Sequence, residues 1–376
     1  MGNPALSLLK RYVRFSLSER ITTALWLLLW VAILCAGLWP LQFHPANGAK
    51  WLPSESGIAF RGRGIAYSST SFADLIGAGK QFPHPFTLEL LLRPRAQSSA
   101  QLGIIACDNS SETDPHFLLA QYRTILILEA RFWDPHRVLL HKLGADRLIP
   151  GNLVHVAVSS GSAGTRLYVD GDEAARSPLS IASETVVGPL VVGNSGSIGD
   201  PWNGDLLGLV VYDAERTAAQ VLTDAQASLA GKPEFRDAAA GFDLSDRSGE
   251  SAHNDVKRGS PLLVPATLVL LRRTVLAWDF RPDAAGFEDV MLNIAGFLPF
   301  GYLGAAVLSH SDLRRGIASV IILGFLLSLG IELVQSYMPL RSSSSTDLLM
   351  NTTGTTLGAI AFLLTWNHQR NAAHPL

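Results

Sequence analysis

Four long apolar stretches, at about residues 21–41, 289–309, 316–339 and 346–366, stand against a polar and finely alternating region from about His44 to Pro261. Each is close to the roughly 20 residues that carry a helix across a bilayer, so each predicts a membrane helix. A fifth apolar stretch, Leu262 to Leu271, is too short to span and runs straight into Arg272 and Arg273. It predicts a linker lying along the outer membrane surface.

The region between the first and second helices has a different period. Phe86 to Leu92, Leu102 to Ala106, Ile125 to Phe132, Val154 to Val158, Thr165 to Val169 and Leu206 to Tyr212 are short apolar or alternating runs. Clusters of Gly, Asn, Asp, Pro and Ser divide them, which predicts many short strands in an antiparallel sandwich. Only Arg216 to Leu229 carries a helical period there.

Basic residues orient the pattern. Lys10, Arg11, Arg14 and Arg20 precede the first helix, Arg314 and Arg315 sit in the turn His310–Arg315, and Arg370 lies in the tail. The positive-inside rule then places both termini in the cytoplasm, and the sandwich and the turn Pro339–Thr346 outside. The long first segment, bracketed by Trp26, Trp30 and Trp39 and lacking a small-x-small site before Pro40, reads as a retained anchor rather than a cleaved leader. A formal net charge of −2 with 16% charged residues excludes nucleic acid as a partner, and a mean hydropathy of +0.23 is that of a membrane protein with a globular insert. Cys35 and Cys107 lie in separate regions and read as two unpaired small apolar residues.

Ionisable groups beside apolar spans are costly and so point to function. Asp289 and Asn293 are spaced i, i+4 at the entrance of the second helix, and Glu332 and Gln335 i, i+3 at the end of the third. Asp347 and Asn351 are spaced i, i+4 at the start of the fourth. Each pair shares one helix face, and all three lie at one depth on the external side. Arg341, in the turn between, is the expected counter-charge for Glu332 or Asp347. Gly354 and Gly358 form a small-xxx-small face for close helix approach, and Pro299 is expected to break or bend the second helix.

The ordered motifs His155-Val-Ala-Val, Gly164-Thr-Arg-Leu-Tyr-Val-Asp-Gly, Gly193-Asn and Asn203-Gly-Asp-Leu-Leu-Gly-Leu-Val-Val-Tyr resemble the laminin G/concanavalin A-like lectin superfamily over about residues 50–225. The resemblance implies a jelly-roll sandwich of a kind that binds glycans, proteins or lipids, sometimes through calcium. Asp108, Asn109, Glu112 and Asp114 are a candidate hard-oxygen set for calcium, though a solvated acidic loop explains them as well. Trp133, Asp134 and His136 could stack on a sugar, or simply pack.

Asp289-Val-Met-Leu-Asn-Ile-Ala-Gly-Phe-Leu-Pro-Phe-Gly, then Ile331-Glu-Leu-Val-Gln, Arg341 and Asp347-Leu-Leu-Met-Asn-Thr-Thr-Gly, resemble the VanZ-like family of bacterial membrane proteins. The resemblance implies a mixed fold, with the sandwich inserted into an external loop of one helical membrane unit in the bacterial cytoplasmic membrane. The expected layout is a cytoplasmic N-terminus at 1–20, a first helix at 21–41, a sandwich at 45–230 and an extracytoplasmic tail and linker at 231–288. A three-helix region at 289–366 and a cytoplasmic tail at 367–376 complete it.

The family is linked to glycopeptide resistance. That implies a role in the cell envelope: binding an envelope lipid, a glycan, a lipid-linked cell-wall intermediate or a glycopeptide-type ligand at the outer leaflet, with membrane lipids as partners. Asp289, Asn293, Glu332, Gln335, Arg341, Asp347 and Asn351 are its candidate ligand-binding residues, with a clamp in which Arg341, Glu332 and Asp347 satisfy one another and fix helix packing as an equal alternative. An adhesion module on a membrane anchor is one alternative, and an enzyme using Glu332 and Asp347 as acid and base is another. No zinc signature, nucleophile elbow or phosphate loop supports catalysis, and no cofactor is expected beyond calcium in the sandwich.

Overall fold

The computed structural model describes residues 4–77, 84–107, 117–134, 137–182, 186–194, 201–256, 260–271 and 273–373. The candidate calcium residues Asp108, Asn109, Glu112 and Asp114, and His136, lie outside them. The chain divides into two compact units, His44–Arg272 and a second one formed by Met1–Phe43 with Arg273–Leu376.

The first unit is an antiparallel β-sandwich. One sheet is built from β1 (Ala49–Trp51), β2 (Ile58–Phe60), β4 (Phe86–Pro94), β9 (Val154–Gly161), β10 (Gly164–Val169), β11 (Asp172–Ser177), β14 (Gly204–Tyr212) and β15 (Ala240–Phe242). Its order is β1-β2-β14-β4-β9-β10-β11, and β15 pairs with β14. The facing sheet holds β3 (Ala66–Ser71), β5 (Leu102–Cys107), β6 (Phe117–Tyr122), β7 (Ile125–Asp134), β8 (Arg137–Asp146), β12 (Ser180–Ile181), β13 (Pro189–Val192), β16 (Ser251–Ala252) and β17 (Leu262–Leu263). Alternate residues of the two sheets meet between them: Phe86, Leu88, Leu90 and Leu92 of β4 share one core with Ile105, Leu119 and Leu128. The expected Asp-Gly hairpin turn joins β10 to β11, with φ of 54° at Asp170 and 87° at Gly171, the left-handed values such a turn requires.

Two sequence expectations change here. The apolar stretch from Leu262 is no surface linker: Leu262 pairs with Ser68 of β3, and Leu262, Val264 and Leu268 are buried. Leu262 and Val264 join the sandwich core, which is a better sink for them than an interfacial path. With β15, β16 and β17 all in the sheets, the compact unit runs to Arg272, so the expected tail and linker from 231 is largely sandwich. The expected helical period appears as α3 (Ala218–Leu229), capped by a Thr217–Gln220 capping box, alongside a short α2 (Phe72–Leu75).

The second unit holds α1 (Pro4–Leu38), α4 (Ala284–Leu308), α5 (Leu313–Gln335) and α6 (Ser345–Ala373). Within these, Ser18–Leu38, Ala284–Leu308, Leu313–Gln335 and Ser345–His368 are long and apolar enough to cross a membrane. Leu28, Met291, Leu292, Ile322 and Leu364 are exposed on their outer faces, as lipid-facing residues would be. Trp26, Phe297, Phe300, Val320, Leu327 and Phe362 form the interior, with the Trp30 and Phe300 rings edge-on at 5.3 Å.

Glycines set the closeness of α4 and α6. A Cβ on Gly354 would fall 2.4 Å from the Ile294 carbonyl, and one on Gly358 or Gly301 would fall 2.0 Å from the carbonyls of Leu298 or Thr355. The helix backbones therefore touch without side chains between them. Pro299 does not break α4, which runs through it to Leu308. Its missing N–H removes a helical partner from the Ala295 carbonyl, while the flanking Phe297 and Phe300 remain packed in the core.

Candidate polar site at one end of the helical unit

The alternation of the helices puts the start of α4, the end of α5 and the start of α6 at one end of this unit. The serine run Ser342–Ser345 closes the gap between α5 and α6, and Ser344 is its hub. Its hydroxyl accepts the N–H of Asp347 at 3.0 Å, the N-cap arrangement of α6, and donates to Asp279 Oδ1 at 2.5 Å. Its own N–H donates to Glu332 Oε2 at 2.6 Å. Leu276 and Ala277 dock on the same run through bonds to Ser343 Oγ and the Ser343 carbonyl, and the Ala277 carbonyl accepts the N–H of Ser345.

Glu332 is 1% exposed and half-buried Asp347 accepts from Asn293 Nδ2 at 2.8 Å. Asn351 is buried and donates to Ser328 Oγ at 2.9 Å. Gln335 turns instead to α1, donating to the Gly37 carbonyl at 2.7 Å. Asp289 stands at the rim, its carboxylate 64% exposed and 3.9 Å from Arg281.

Arg341 overturns its expected role. Its guanidinium donates to the Trp39 carbonyl, and among the described residues no ion pair joins it to Glu332 or Asp347. The serine run supplies N–H and O–H donors close to the helix axes, so the carboxylates are satisfied locally and the longer Arg341 side chain reaches the end of α1 instead.

A pocket of about 260 Å³ opens beside this network, lined by Asp279, Phe280, Arg281, Asp289, Thr346 and Asp347 among others. The loop 279–281 reaches it because Gly286, in the first turn of α4, leaves room: a Cβ there would lie 2.0 Å from the Arg281 carbonyl. Sequence reasoning singled out Asp289 and Asp347 but missed Asp279, Arg281, Ser344 and Thr346. A signal was present: Trp278-Asp279-Phe280-Arg281 is a charged, aromatic-flanked run just ahead of an apolar span.

The sandwich has its own polar features. On the outer face of its first sheet, Glu89 Oε2 and His155 Nε2 lie 3.3 Å apart, both almost fully buried. Burial pushes the Glu89 carboxyl up, and the His155 contact only partly offsets it. Glu89 Oε1 and His155 Nδ1 have no protein partner, and both residues line a pocket of about 300 Å³ with Glu55 and Arg93. Elsewhere Asp243, His253 and Asp255 bring potential ligand atoms within 4.8 Å of one another, and the bond to Asp246 raises the His253 imidazole above its ordinary value. Trp133 and Asp134 end β7.

The VanZ/LLP1 family model matches residues 241–366, beginning in the closing strands of the sandwich, and the concanavalin A-like lectin/glucanases superfamily model matches residues 68–222. The chain thus joins a lectin-like antiparallel sandwich to the membrane helices of a VanZ/LLP1 match. No curated protein sequence matches it. Among solved structures it is similar to a candidate carbohydrate-binding protein from Bacteroides ovatus, with 13% identity over 60% of this chain and a TM-score of 0.37. It spans 62% of that protein's length. It is also similar to the CBM40 module of the Ruminococcus gnavus IT-sialidase, with 16% identity over 45% of this chain and 96% of that one, TM-score 0.37. A Trypanosoma rangeli sialidase follows, with 12% identity over 49% of this chain and 29% of that one, TM-score 0.36. Likenesses at these TM-scores carry no argument about ligand.

Proposed function

We propose that the protein is a multi-pass component of the bacterial cell envelope that binds the polar headgroup of an envelope lipid at the outer leaflet, with the sandwich outside the cytoplasmic membrane and both termini inside. The observation that carries this is a pocket walled by charged side chains at the shared end of three apolar helices, backed by the Glu332–Ser344–Asp347 network. Polar groups that only clamp helices together do not need to leave such an opening. The binding residues are Asp279, Arg281, Asp289 and Asp347 at the wall. Glu332, Asn293, Asn351 and Gln335 hold the frame, and Arg341 fastens the α5–α6 turn to α1.

Native mass spectrometry of the full-length protein extracted from its membrane tests this, beside a Ser342→Trp variant that fills the pocket from its exposed rim. Specific lipid on the parent and its loss in the variant is the expected result. Equal lipid on both, with both proteins folded, overturns the reading.

A second reading concerns the sandwich. We propose that it is a glycan-binding module, supported by its superfamily match and by the two unpaired buried atoms of Glu89 and His155 beside their pocket. Binding of the full-length protein to an array of envelope glycans, lost on Glu89→Gln, is the expected outcome. Unchanged binding by the variant would move the glycan site elsewhere.

A further inference from the structure

The charge balance of the helical pocket is lopsided. Three carboxylates, Asp279, Asp289 and Asp347, face one guanidinium, Arg281. Among the described residues no other cation reaches them: the Asp347 carboxylate accepts from the Asn293 amide, and that of Asp279 from the Ser344 hydroxyl. Thr346 lines the same pocket, is only 6% exposed, and its hydroxyl has no hydrogen-bond partner. A buried hydroxyl left unmatched is destabilising, so a ligand group that pairs with it is favoured.

We infer that the pocket takes a zwitterionic group, a primary ammonium joined through a short linker to a phosphodiester, as in an ethanolamine phospholipid. This inference rests on the headgroup reading above and names the headgroup. The ammonium lies against Asp347 and Asp279, and its remaining N–H reaches the Thr346 hydroxyl. The phosphate lies toward Arg281 at the mouth, where that side chain is 65% exposed and free to swing from Asp289.

The alternatives fit less well. A purely anionic headgroup would meet three carboxylates. A quaternary ammonium has no N–H for them and would want an aromatic cage, whereas the pocket offers one ring, Phe280, itself edge-packed on Phe287. A single metal ion needs ligand atoms gathered closely. Among the described residues that gathering occurs only at Asp243, His253 and Asp255, in the other unit.

The test loads the full-length protein, in lipid nanodiscs or detergent, with equal amounts of phosphatidylethanolamine, its N-trimethyl counterpart phosphatidylcholine, and phosphatidylglycerol, and reads retention by native mass spectrometry. Retention of the ethanolamine lipid should exceed that of the other two by about tenfold or more, as expected when charge-assisted hydrogen bonds are at stake. Asp279→Asn with Asp347→Asn should erase the preference, and Arg281→Gln should weaken retention while keeping the order of amines. Soluble O-phosphoethanolamine is added as a second arm. Displacement of the lipid by it places the source of the group in any phosphoethanolamine-bearing molecule, and retention against it places the source in the membrane.

Preferred retention of phosphatidylglycerol or equal retention of ethanolamine and choline lipids overturns the ammonium inference. So does a preference unmoved in the double Asp variant. If Ser342→Trp still abolishes retention in those cases, the headgroup reading survives alone. If no variant changes any lipid, both fall.

Discussion

In the sandwich, Asp205 is fully buried and three guanidiniums surround it, Arg61 at 2.6 Å, Arg95 at 2.5 Å and Arg93 at 3.5 Å. In the helical unit, Glu332 is buried as deeply, yet it accepts the N–H of Ser344, with Asp347 and Asp279 nearby and, among the described residues, no cation paired with it. At Asp205 the sandwich thus cancels buried charge within the fold, as Arg216 does again for Asp224. The helical unit satisfies hydrogen bonds and leaves charge over. Cancelled charge is a structural device, whereas residual charge beside an opening is a place for a ligand.

Packing sets the condition for that contrast and carries the largest expected effect. Gly301→Val would drive α4 from α6, because even a Cβ there meets the Thr355 carbonyl at 2.0 Å. A loss of about 3 kcal/mol is expected, read by denaturation in detergent, together with loss of retained lipid. Full stability in this variant would mean the helices approach differently.

Next comes the charge contrast itself. Asp205→Ala removes the carboxylate shared by Arg61, Arg93 and Arg95, of which Arg93 keeps Glu55, and should cost about 2 kcal/mol, discounted for the solvent screening of Arg61 and Arg95. Glu332→Gln keeps an acceptor for the Ser344 N–H and should cost less than about 1 kcal/mol, while Glu332→Ala strands that N–H and should cost about 1–3 kcal/mol. A Glu332→Gln loss as large as that of Asp205→Ala would mean that the carboxylate charge, rather than its acceptor role, holds the helices.

Two pH effects are smaller. Burial raises the Glu89 carboxyl above its ordinary value of 4.5, so its contribution to stability is present below that pH and is lost as pH rises through the raised value. Stability of the parent relative to Glu89→Gln should therefore fall from about pH 4.5 upward, checked by melting temperature across pH. His253 is raised chiefly by its bond to Asp246, so its contribution holds below the ordinary 6.5 and fades as pH climbs through the raised value. The melting difference between parent and His253→Gln should shrink as pH rises above about 6.5, and an increase instead would reverse the assignment.

Much of the fold was legible in the chain. Period-two runs marked β4, β5, β7, β9, β10 and β14, and the capping residues of α3 lay beside its helical period. The small-xxx-small face at Gly354 and Gly358 does what its spacing implied. Leu262 to Leu271 misled because a short apolar stretch reads the same whether it meets lipid or a sheet, and only pairing with β3 separates the two. At the site, i, i+4 spacing brought Asn293 and Asp347 to a common end, where they bond. It could not tell that Asp289 would face outward or that Arg341 would turn to Trp39.

The sequence by itself determined what local physics determines: two spectra of periodicity, hence a sandwich and four apolar helices, and polar residues concentrated at their ends. The tertiary structure alone decided which charges meet. Partners such as Asp279, Ser344 and Glu332 come from three separate segments, and their contact depends on ångström-scale helix approach and on one glycine at 286 that lets a loop close over the site. Hydrogen bonds form or fail within a few tenths of an ångström, a scale that spacing along a chain does not encode.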